Sequence, residues 1–283
     1  MKLTLVTDQN VEMATLVCFH AHPDDEALQT GGTIARAAAE GHRVVLVIAT
    51  GGEHGEIPTD LTDGESLADR RRAEAVRSAE ALGISRVAWL GYRDSGMTGW
   101  EQNAHPEAFM NADLEEAAAR LAEILLDENA HVITTYDWHG NYGHPDHVAV
   151  HRVGHRAAEL AGTPNVYEAT INRDAVVRAM DAARAGGMDV PDFGNDESPN
   201  TDDGNAFGTP ESELTTFVDV SGYVSHKRES LRAHTSQIGA DSFFFSMPDE
   251  AFQIMFGTEW FIRKGATPGH REDWLEGLGW LTD

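Results

Sequence analysis

Hydrophobic residues along the chain form short continuous runs, separated by alanine- and leucine-rich stretches with helical spacing. The strand-like runs are residues 15–20, 43–49, 86–90, 131–136, 166–170, 215–220 and 259–263. The helix-like stretches are residues 27–40, 66–82 and 113–128. Continuous apolar strands that alternate with helices are typical of a parallel sheet covered on both faces. The pattern therefore predicts a three-layer α/β fold with a mostly parallel sheet.

The domain organisation follows from length and from one polar segment. We interpret residues 1–283 as a single domain, a length that suits one large or two small domains. Residues 189–213 are rich in Asp, Asn, Gly, Pro and Ser. Long polar connections of this kind are either disordered or functional lids. We therefore predict a mobile acidic loop at this segment.

Two short clusters of histidine and aspartate follow strand-like runs, at residues 22–26 (HPDDE) and 144–147 (HPDH). Binding sites of parallel sheets lie at the carboxyl ends of the strands, so the two clusters are expected to meet. Two imidazoles and one carboxylate would supply three ligands to a catalytic metal and leave one position open. The clusters therefore predict metal-assisted hydrolysis.

In the first cluster, His22 and Asp25 lie three residues apart, just past a strand. A turn there can direct both side chains at one ion and leave Asp24 beside it. A carboxylate next to a metal-activated water can take the water's proton. In the competing interpretation, Asp24 or Asp25 only caps the following helix.

In the second cluster, His144 and His147 lie three residues apart, with Asp146 between them. One histidine can bind the metal while the other, paired with Asp146, stays protonated. A charged imidazole would stabilise an oxyanion and protonate a leaving amine. Tyr142, in the glycine-containing stretch 137–143, is a candidate to contribute a hydroxyl, or alternatively a residue that packs on the surface. The alternative is a polar loop with solvated histidines.

Further polar residues lie outside the two clusters. Asp94 follows the third strand and is a candidate acceptor for a substrate hydroxyl or a turn-forming aspartate. Arg71 and Glu74 have the spacing of an intrahelical pair. We interpret His151 and His155, four apart after the second cluster, as ordinary helix-face residues.

Charge and composition exclude several classes of partner. The net charge of −26 comes from 47 acidic and 21 basic residues. Such a surface repels nucleic acid and anionic membranes, and no apolar run approaches the roughly 20 residues of a membrane span. Cys18 is the single cysteine, which precludes an internal disulfide, and no signal-peptide pattern opens the chain. We therefore expect a cytoplasmic protein; the sequence does not indicate its oligomeric state.

The same charge predicts a response of stability to salt. The Debye length is about 30 Å at 0.01 M salt and about 3 Å at 1 M, so repulsion among surface carboxylates is screened at high salt. Folding brings these charges together, and screening therefore favours the folded state. We expect the melting temperature to rise markedly in KCl between about 0.01 and 1 M. A flat or falling melting temperature would leave the acidity as a solubility device.

The motifs at residues 21–26 (AHPDDE) and 143–147 (GHPDH) resemble those of the LmbE-like (PIG-L) zinc deacetylases. The resemblance covers residues 15–170, with a weaker trace to 263. It implies a Rossmann-like hydrolase that removes acyl groups from N-acetylglucosamine-containing conjugates and uses one divalent metal, zinc or alternatively Fe2+. The metal ligands that it implies are His22, Asp25 and His147.

The resemblance also implies roles for neighbouring residues. Asp24 becomes the general base, and His144, oriented by Asp146, acts on the oxyanion and the leaving amine. Residues 50–53, 71–74, 93–97 and 141–143 look most like the mycothiol branch, which includes the N-acetylglucosaminyl-inositol deacetylase and the mycothiol S-conjugate amidase. In that branch Arg71 and Asp94 would hold the sugar or inositol, and Tyr142 would assist at the transition state.

The expected partner is therefore a small-molecule amino-sugar conjugate. Two alternatives remain: a metal-dependent sugar-nucleotide transferase that uses Asp24 and Asp25 to hold a diphosphate–metal complex, and a catalytically silent sugar- or metal-binding module. The His-x-x-His pattern argues against the transferase, because hard cations with diphosphate favour oxygen ligands. Metal-dependent release of free amine from an N-acetylglucosaminide would separate the three.

Overall fold

The computed structural model describes residues 13–186, 203–267 and 269–279. Its centre is a seven-stranded sheet in the order β3-β2-β1-β4-β5-β7-β6. The strands are β1 (Thr15–His20), β2 (Arg43–Thr50), β3 (Arg86–Tyr92), β4 (Val132–Tyr136), β5 (Asn165–Thr170), β6 (Thr216–Asp219) and β7 (Thr258–Arg263). The first five strands pair in parallel, and β7 runs antiparallel to both of its neighbours. The predicted α/β fold with a mostly parallel sheet is confirmed.

The helices cover the sheet on both faces. They are α1 (Asp25–Gln29), α2 (Gly31–Ala39), α3 (Leu67–Leu82), α4 (Leu114–Asp127), α5 (Gly140–Gly143), α6 (Pro145–Ala161), α7 (Arg173–Ala185), α8 (Val224–Ala233), α9 (Phe243–Ser246) and α10 (Asp249–Phe256). Every residue of β1 and β4 is buried, as expected for central strands between two helical layers.

One expected helix is divided. The stretch 27–40 was predicted as a single helix, but α1 ends before Thr30, whose φ of −136° and ψ of 9° are not helical. The Thr30 hydroxyl lies 2.9 Å from His20 Nε2 and is buried. This hydrogen bond fixes the residue between α1 and α2 to the last residue of β1, so α1 is a short helix of its own.

The sheet order places the two polar clusters together. The chain leaves β1 toward β2 on one side, and β4 lies on the other side of β1. Such a reversal of strand order opens a crevice at the carboxyl ends of the strands, where α/β proteins bind ligands. The loop after β1 carries the first cluster and the loop after β4 carries the second.

Most of the predicted acidic loop, residues 189–202, falls outside the described residues, so its mobility stays a prediction. The described part, 203–213, packs beside the second cluster: Gly208 N–H donates to Asn141 O at 2.8 Å, and Arg173 donates to Gly208 O at 2.6 Å. The single-domain interpretation also stays a prediction. Within the three described ranges, no helix combines the length and apolar character that crossing a bilayer requires.

Candidate metal centre

The loop after β1 separates two adjacent aspartates. Asp24 has φ 112° and ψ −26°, a left-handed conformation that costs energy for any residue other than glycine. Its N–H donates to Glu26 Oε2 at 3.0 Å, which holds this conformation in place. As a result Asp25 turns toward the second cluster, while the Asp24 carboxylate lies 3.1 Å from Arg71 Nη2.

The Asp25 carboxylate bridges the two clusters. Its Oδ2 lies 3.4 Å from His22 Nδ1 and accepts the His22 backbone N–H at 2.8 Å. Its Oδ1 lies 3.4 Å from His147 Nε2. The three side chains expected as ligands are therefore brought together in a buried crevice.

His147 is prepared to donate an electron pair. Its Nδ1 lies 3.3 Å from Gly140 O, so Nδ1 carries the proton and Nε2 carries the lone pair. This buried Nε2 has no hydrogen-bond partner among the described residues. Gly140 (φ +66°) allows the close approach, since a Cβ there would lie 2.2 Å from the His147 Cβ. A buried imidazole nitrogen without a partner beside a carboxylate fits a metal ligand.

His22 is oriented by carboxylates on its other side. Its Nε2 lies 3.1 Å from Asp146 Oδ2 and 3.6 Å from Asp94 Oδ1, which leaves Nδ1 facing Asp25. Asp146 is fully buried and also accepts hydrogen bonds from the Ser95 N–H, at 2.9 Å, and from the Ser95 hydroxyl. A carboxylate behind the imidazole is the usual way in which proteins fix a metal-binding histidine.

Asp146 contacts His144 through its backbone N–H, whereas the Asp146 carboxylate, which we expected to pair with His144, has other partners. His144 is the N-cap of α6, and its Nδ1 accepts the Asp146 N–H at 3.1 Å. The Asp146 carboxylate binds His22 and Ser95 instead. Burial, together with the neighbouring His22 and His147, lowers the pKa of His144 to about 2, which favours a neutral ring; the protonated state expected from the sequence stays a prediction. The neutral ring carries its proton on Nε2 and can donate it as a hydrogen bond.

His144 also extends the set of donor atoms. One nitrogen from each of His22, His144 and His147 lies within 4.8 Å of the others. The centre therefore offers three imidazoles and the Asp25 carboxylate. Asp25 contacts both His22 and His147, whereas His144 Nδ1 already accepts a backbone N–H. These contacts favour His22, Asp25 and His147 over His144 as ligands, and this assignment stays our prediction.

Asp24 lies at the edge of this centre in a position suited to a base. Burial raises the pKa of Asp24 and the nearby Asp25 charge raises it further, whereas Arg71 opposes both effects. A carboxyl with a raised pKa accepts a proton more readily than an ordinary aspartate.

The guanidinium of Arg71 is buried and binds the neighbouring loops through its two terminal nitrogens. It donates to Gly52 O at 2.7 Å and to Pro23 O at 2.6 Å, besides pairing with Asp24. The intrahelical pair with Glu74 is not formed, because Glu74 accepts hydrogen bonds from the N–H and hydroxyl of Ser236. Arg71 therefore positions Asp24, and its contact with a sugar stays a prediction.

Asp94, the second expected substrate contact, and Tyr142, expected to assist at the transition state, line the same crevice. Asp94 accepts from the Gly96 N–H at 2.8 Å and from the His54 N–H at 3.1 Å, contacts that help His22 to hold the pKa of Asp94 far below its usual range. The ring of Tyr142 lies 5.0 Å from that of His147, and burial raises the pKa of its phenol, which stays protonated. Their roles toward a substrate stay predictions.

A buried ion pair behind Asp24 was not predicted. Glu26 Oε1 lies 2.7 Å from His234 Nε2, both side chains are fully buried, and Ser78 donates to the same carboxylate at 2.5 Å. The two partners are 208 residues apart, and no motif distinguishes His234. Since Glu26 also accepts the Asp24 N–H, the pair helps to hold the backbone of Asp24 in place.

We expect His234→Gln to destabilise the fold. Breaking a buried pair by removing one partner costs about 3–5 kcal/mol, because the other charge stays buried. Although burial opposes it, the Glu26 charge raises the pKa of His234. The pair is therefore intact below the ordinary histidine pKa of about 6.5, and its contribution fades as pH rises through the raised value. Urea unfolding of wild type and His234→Gln should show a difference that shrinks at high pH, with His226→Gln on exposed α8 surface as the control. Equal stabilities at pH 6 would contradict this account.

The fold and site together define a class: an α/β protein with a buried histidine–aspartate centre suited to one divalent metal, at the crevice between β1 and β4. The family model of GlcNAc-PI de-N-acetylases, PIG-L, matches residues 17–158, which include both clusters. The chain belongs to this family, and the resemblance noted in the motifs is confirmed.

Relatives extend the match over most of the chain. A 1D-myo-inositol 2-acetamido-2-deoxy-alpha-D-glucopyranoside deacetylase from Acidothermus cellulolyticus is 40% identical over 260 residues, covering 88% of each chain. Among solved structures, the N,N'-diacetylchitobiose deacetylase from Pyrococcus horikoshii aligns with a TM-score of 0.58 at 21% identity, covering 93% of this chain and 87% of that one.

The fold alone does not determine the reaction. The 4-carboxy-2-hydroxymuconate hydratase GalB from Pseudomonas putida aligns with the same TM-score of 0.58 at 16% identity, covering 92% of this chain and 100% of that one. Function must therefore be argued from the side chains of the site.

Proposed function

We propose that this protein is a metal-dependent N-deacetylase of an N-acetylglucosamine-type amino sugar. The observation that carries the proposal is the position of the Asp25 carboxylate between His22 Nδ1 and the unpartnered His147 Nε2, with Asp24 at the edge of the same crevice. Two imidazoles and one carboxylate form a ligand set of catalytic zinc sites, so zinc is the proposed metal and Fe2+ the alternative.

His22, Asp25 and His147 would hold the metal, which supplies Lewis acidity at the amide carbonyl and lowers the pKa of a bound water. The chain's own residues do the proton chemistry. Asp24 accepts the proton of the attacking water, while Arg71 keeps its carboxylate in place. Neutral His144 donates its Nε2–H to the developing oxyanion, and the Tyr142 hydroxyl is placed to assist. Asp24 then returns the proton that it accepted from the water to the departing amine, and becomes a carboxylate again.

The proposed substrate is N-acetylglucosaminyl-inositol. The relatives that cover most of the chain are named as deacetylases of this compound. Mycothiol S-conjugates, which contain the same amino sugar, are the closest competing substrates. Asp94 would accept a hydrogen bond from a sugar or inositol hydroxyl.

The substrate is tested by incubating the zinc-loaded protein with three amides: N-acetylglucosaminyl-inositol, a mycothiol conjugate and a chito-oligosaccharide. Fluorescent labelling of the released amine gives kcat/KM for each. The largest kcat/KM is expected for N-acetylglucosaminyl-inositol. A larger value for either competitor would overturn the substrate assignment and retain the reaction class, whereas no amine from all three would overturn both.

A further inference from the structure

Two more histidines continue the His147 face of α6. His147, His151 and His155 follow one another at intervals of four residues, and residues so spaced lie one above the other on a helix. Glu168 of β5 approaches this face: its Oε1 lies 2.8 Å from His155 Nε2 and 3.8 Å from His151 Nδ1. One donor atom from each of His151, His155 and Glu168 lies within 4.8 Å of the other two.

The contact between His155 and Glu168 is close but is not an aligned hydrogen bond. His155 Nε2 is buried and lacks a hydrogen-bond partner among the described residues, although Glu168 Oε1 is only 2.8 Å away. An imidazole nitrogen and a carboxylate oxygen that lie side by side in this way are arranged like neighbouring ligands of one cation. Adjacent ligand atoms of a tetrahedral zinc, with bonds of about 2.0–2.1 Å, are themselves roughly 3.3 Å apart. His147 Nε2 and Asp25 Oδ1 show the same relation in the catalytic centre.

The protonation state and accessibility of the cluster also suit a metal. Burial lowers the pKa of His151, against the opposing charge of Glu168, so its ring is neutral near pH 7. Its Nδ1–H donates to Tyr136 O at 3.0 Å, and a metal would bind Nδ1 in the tautomer that carries the proton on Nε2. The three side chains are 15–21% exposed, which gives an ion access from solvent.

We propose that His151, His155 and Glu168 form a second divalent-metal site, distinct from the His22–Asp25–His147 centre. Two imidazoles and a carboxylate with an open position for water favour a borderline transition ion. By the Irving–Williams order, the site binds Cu2+ more tightly than Zn2+, and it does not select Mg2+ or Ca2+, which require oxygen ligands.

The test uses the full chain with its first equivalent of zinc already bound. Cu2+ is titrated in and followed by electron paramagnetic resonance, in wild type, His155→Ala, Glu168→Gln and the exposed-histidine control His226→Ala. The expected result is one equivalent of Cu2+ with nitrogen hyperfine structure in wild type and in the control. The nitrogen pattern should be reduced in His155→Ala, and the affinity should fall by about tenfold or more in Glu168→Gln.

His155→Ala and Glu168→Gln should both keep deacetylase activity and the first equivalent of zinc. The copper result therefore tests the second metal site independently of the proposed deacetylase function. Copper bound equally by all four proteins would mean binding to the acidic surface and would overturn the proposal. Wild type without a nitrogen-coordinated copper would overturn it as well. If His155→Ala fails to fold, the copper affinity of Glu168→Gln, which keeps the shape of the side chain, is compared with that of wild type. An unchanged affinity would then overturn the proposal.

Discussion

Replacing Asp24 by asparagine is expected to lower kcat by about 10²–10⁴ while the protein retains its metal and its KM. The substitution keeps the size of the side chain but removes its ability to accept a proton. The left-handed backbone of Asp24 is compatible with asparagine, the residue that tolerates this conformation best after glycine, so the loop should keep its course. Steady-state kinetics and metal analysis on the same preparation check both parts.

The matched control is Asp63→Asn, an exposed aspartate between β2 and α3 that has no place in the proposed site, which should leave kcat unchanged. If Asp24→Asn instead releases the metal, Asp24 is a ligand rather than the base. If it keeps full activity, the proton acceptor lies elsewhere.

The second large effect is expected from the ligands. His147→Ala, His22→Ala or Asp25→Asn should each remove both bound metal and activity, because each would take away one of the three proposed protein ligands. Ser95→Ala, which removes only a hydroxyl bonded to Asp146, should weaken metal binding by about 10–100-fold. Equilibrium dialysis followed by elemental analysis measures both effects.

His144→Ala distinguishes the two arrangements that the donor atoms allow. We expect the variant to keep the metal but to have a lower kcat. His144 Nδ1 accepts the Asp146 N–H, and in our proposal its Nε2–H donates a hydrogen bond to the oxyanion rather than binding the metal. Stoichiometric zinc in His147→Ala together with an empty centre in His144→Ala would exchange the roles of the two histidines.

The outline of this fold could be predicted from sequence because its central strands are buried on both faces. Residues 15–20 and 131–136 are continuous apolar runs, and they became β1 and β4, the pair that brings the two polar loops together. The convergence of His22, Asp25 and His147 could be expected because both clusters follow strands of one parallel sheet. The strand runs are local patterns that depend only on neighbours in the chain, whereas the adjacency of β1 and β4 is known only from the structure.

The hydrogen-bond partners of individual carboxylates could not be predicted, because they depend on the backbone conformation at helix N-termini and on which helices pack together. Asp146 lies two residues from His144 in the chain, but the N-cap geometry of His144 directs its carboxylate to His22, 124 residues away. Likewise, Glu26 meets His234 only because α8 packs beside α1 and α3. Pairings across such distances are set by tertiary packing.

The most direct test of the central claim is acetate release from N-acetylglucosaminyl-inositol by protein stripped with a chelator and then titrated with Zn2+. The account predicts no release from the stripped protein and a return of activity that is complete at one equivalent, while His147→Ala stays inactive throughout. Release of acetate by the stripped protein at the rate of the zinc-loaded one would contradict it.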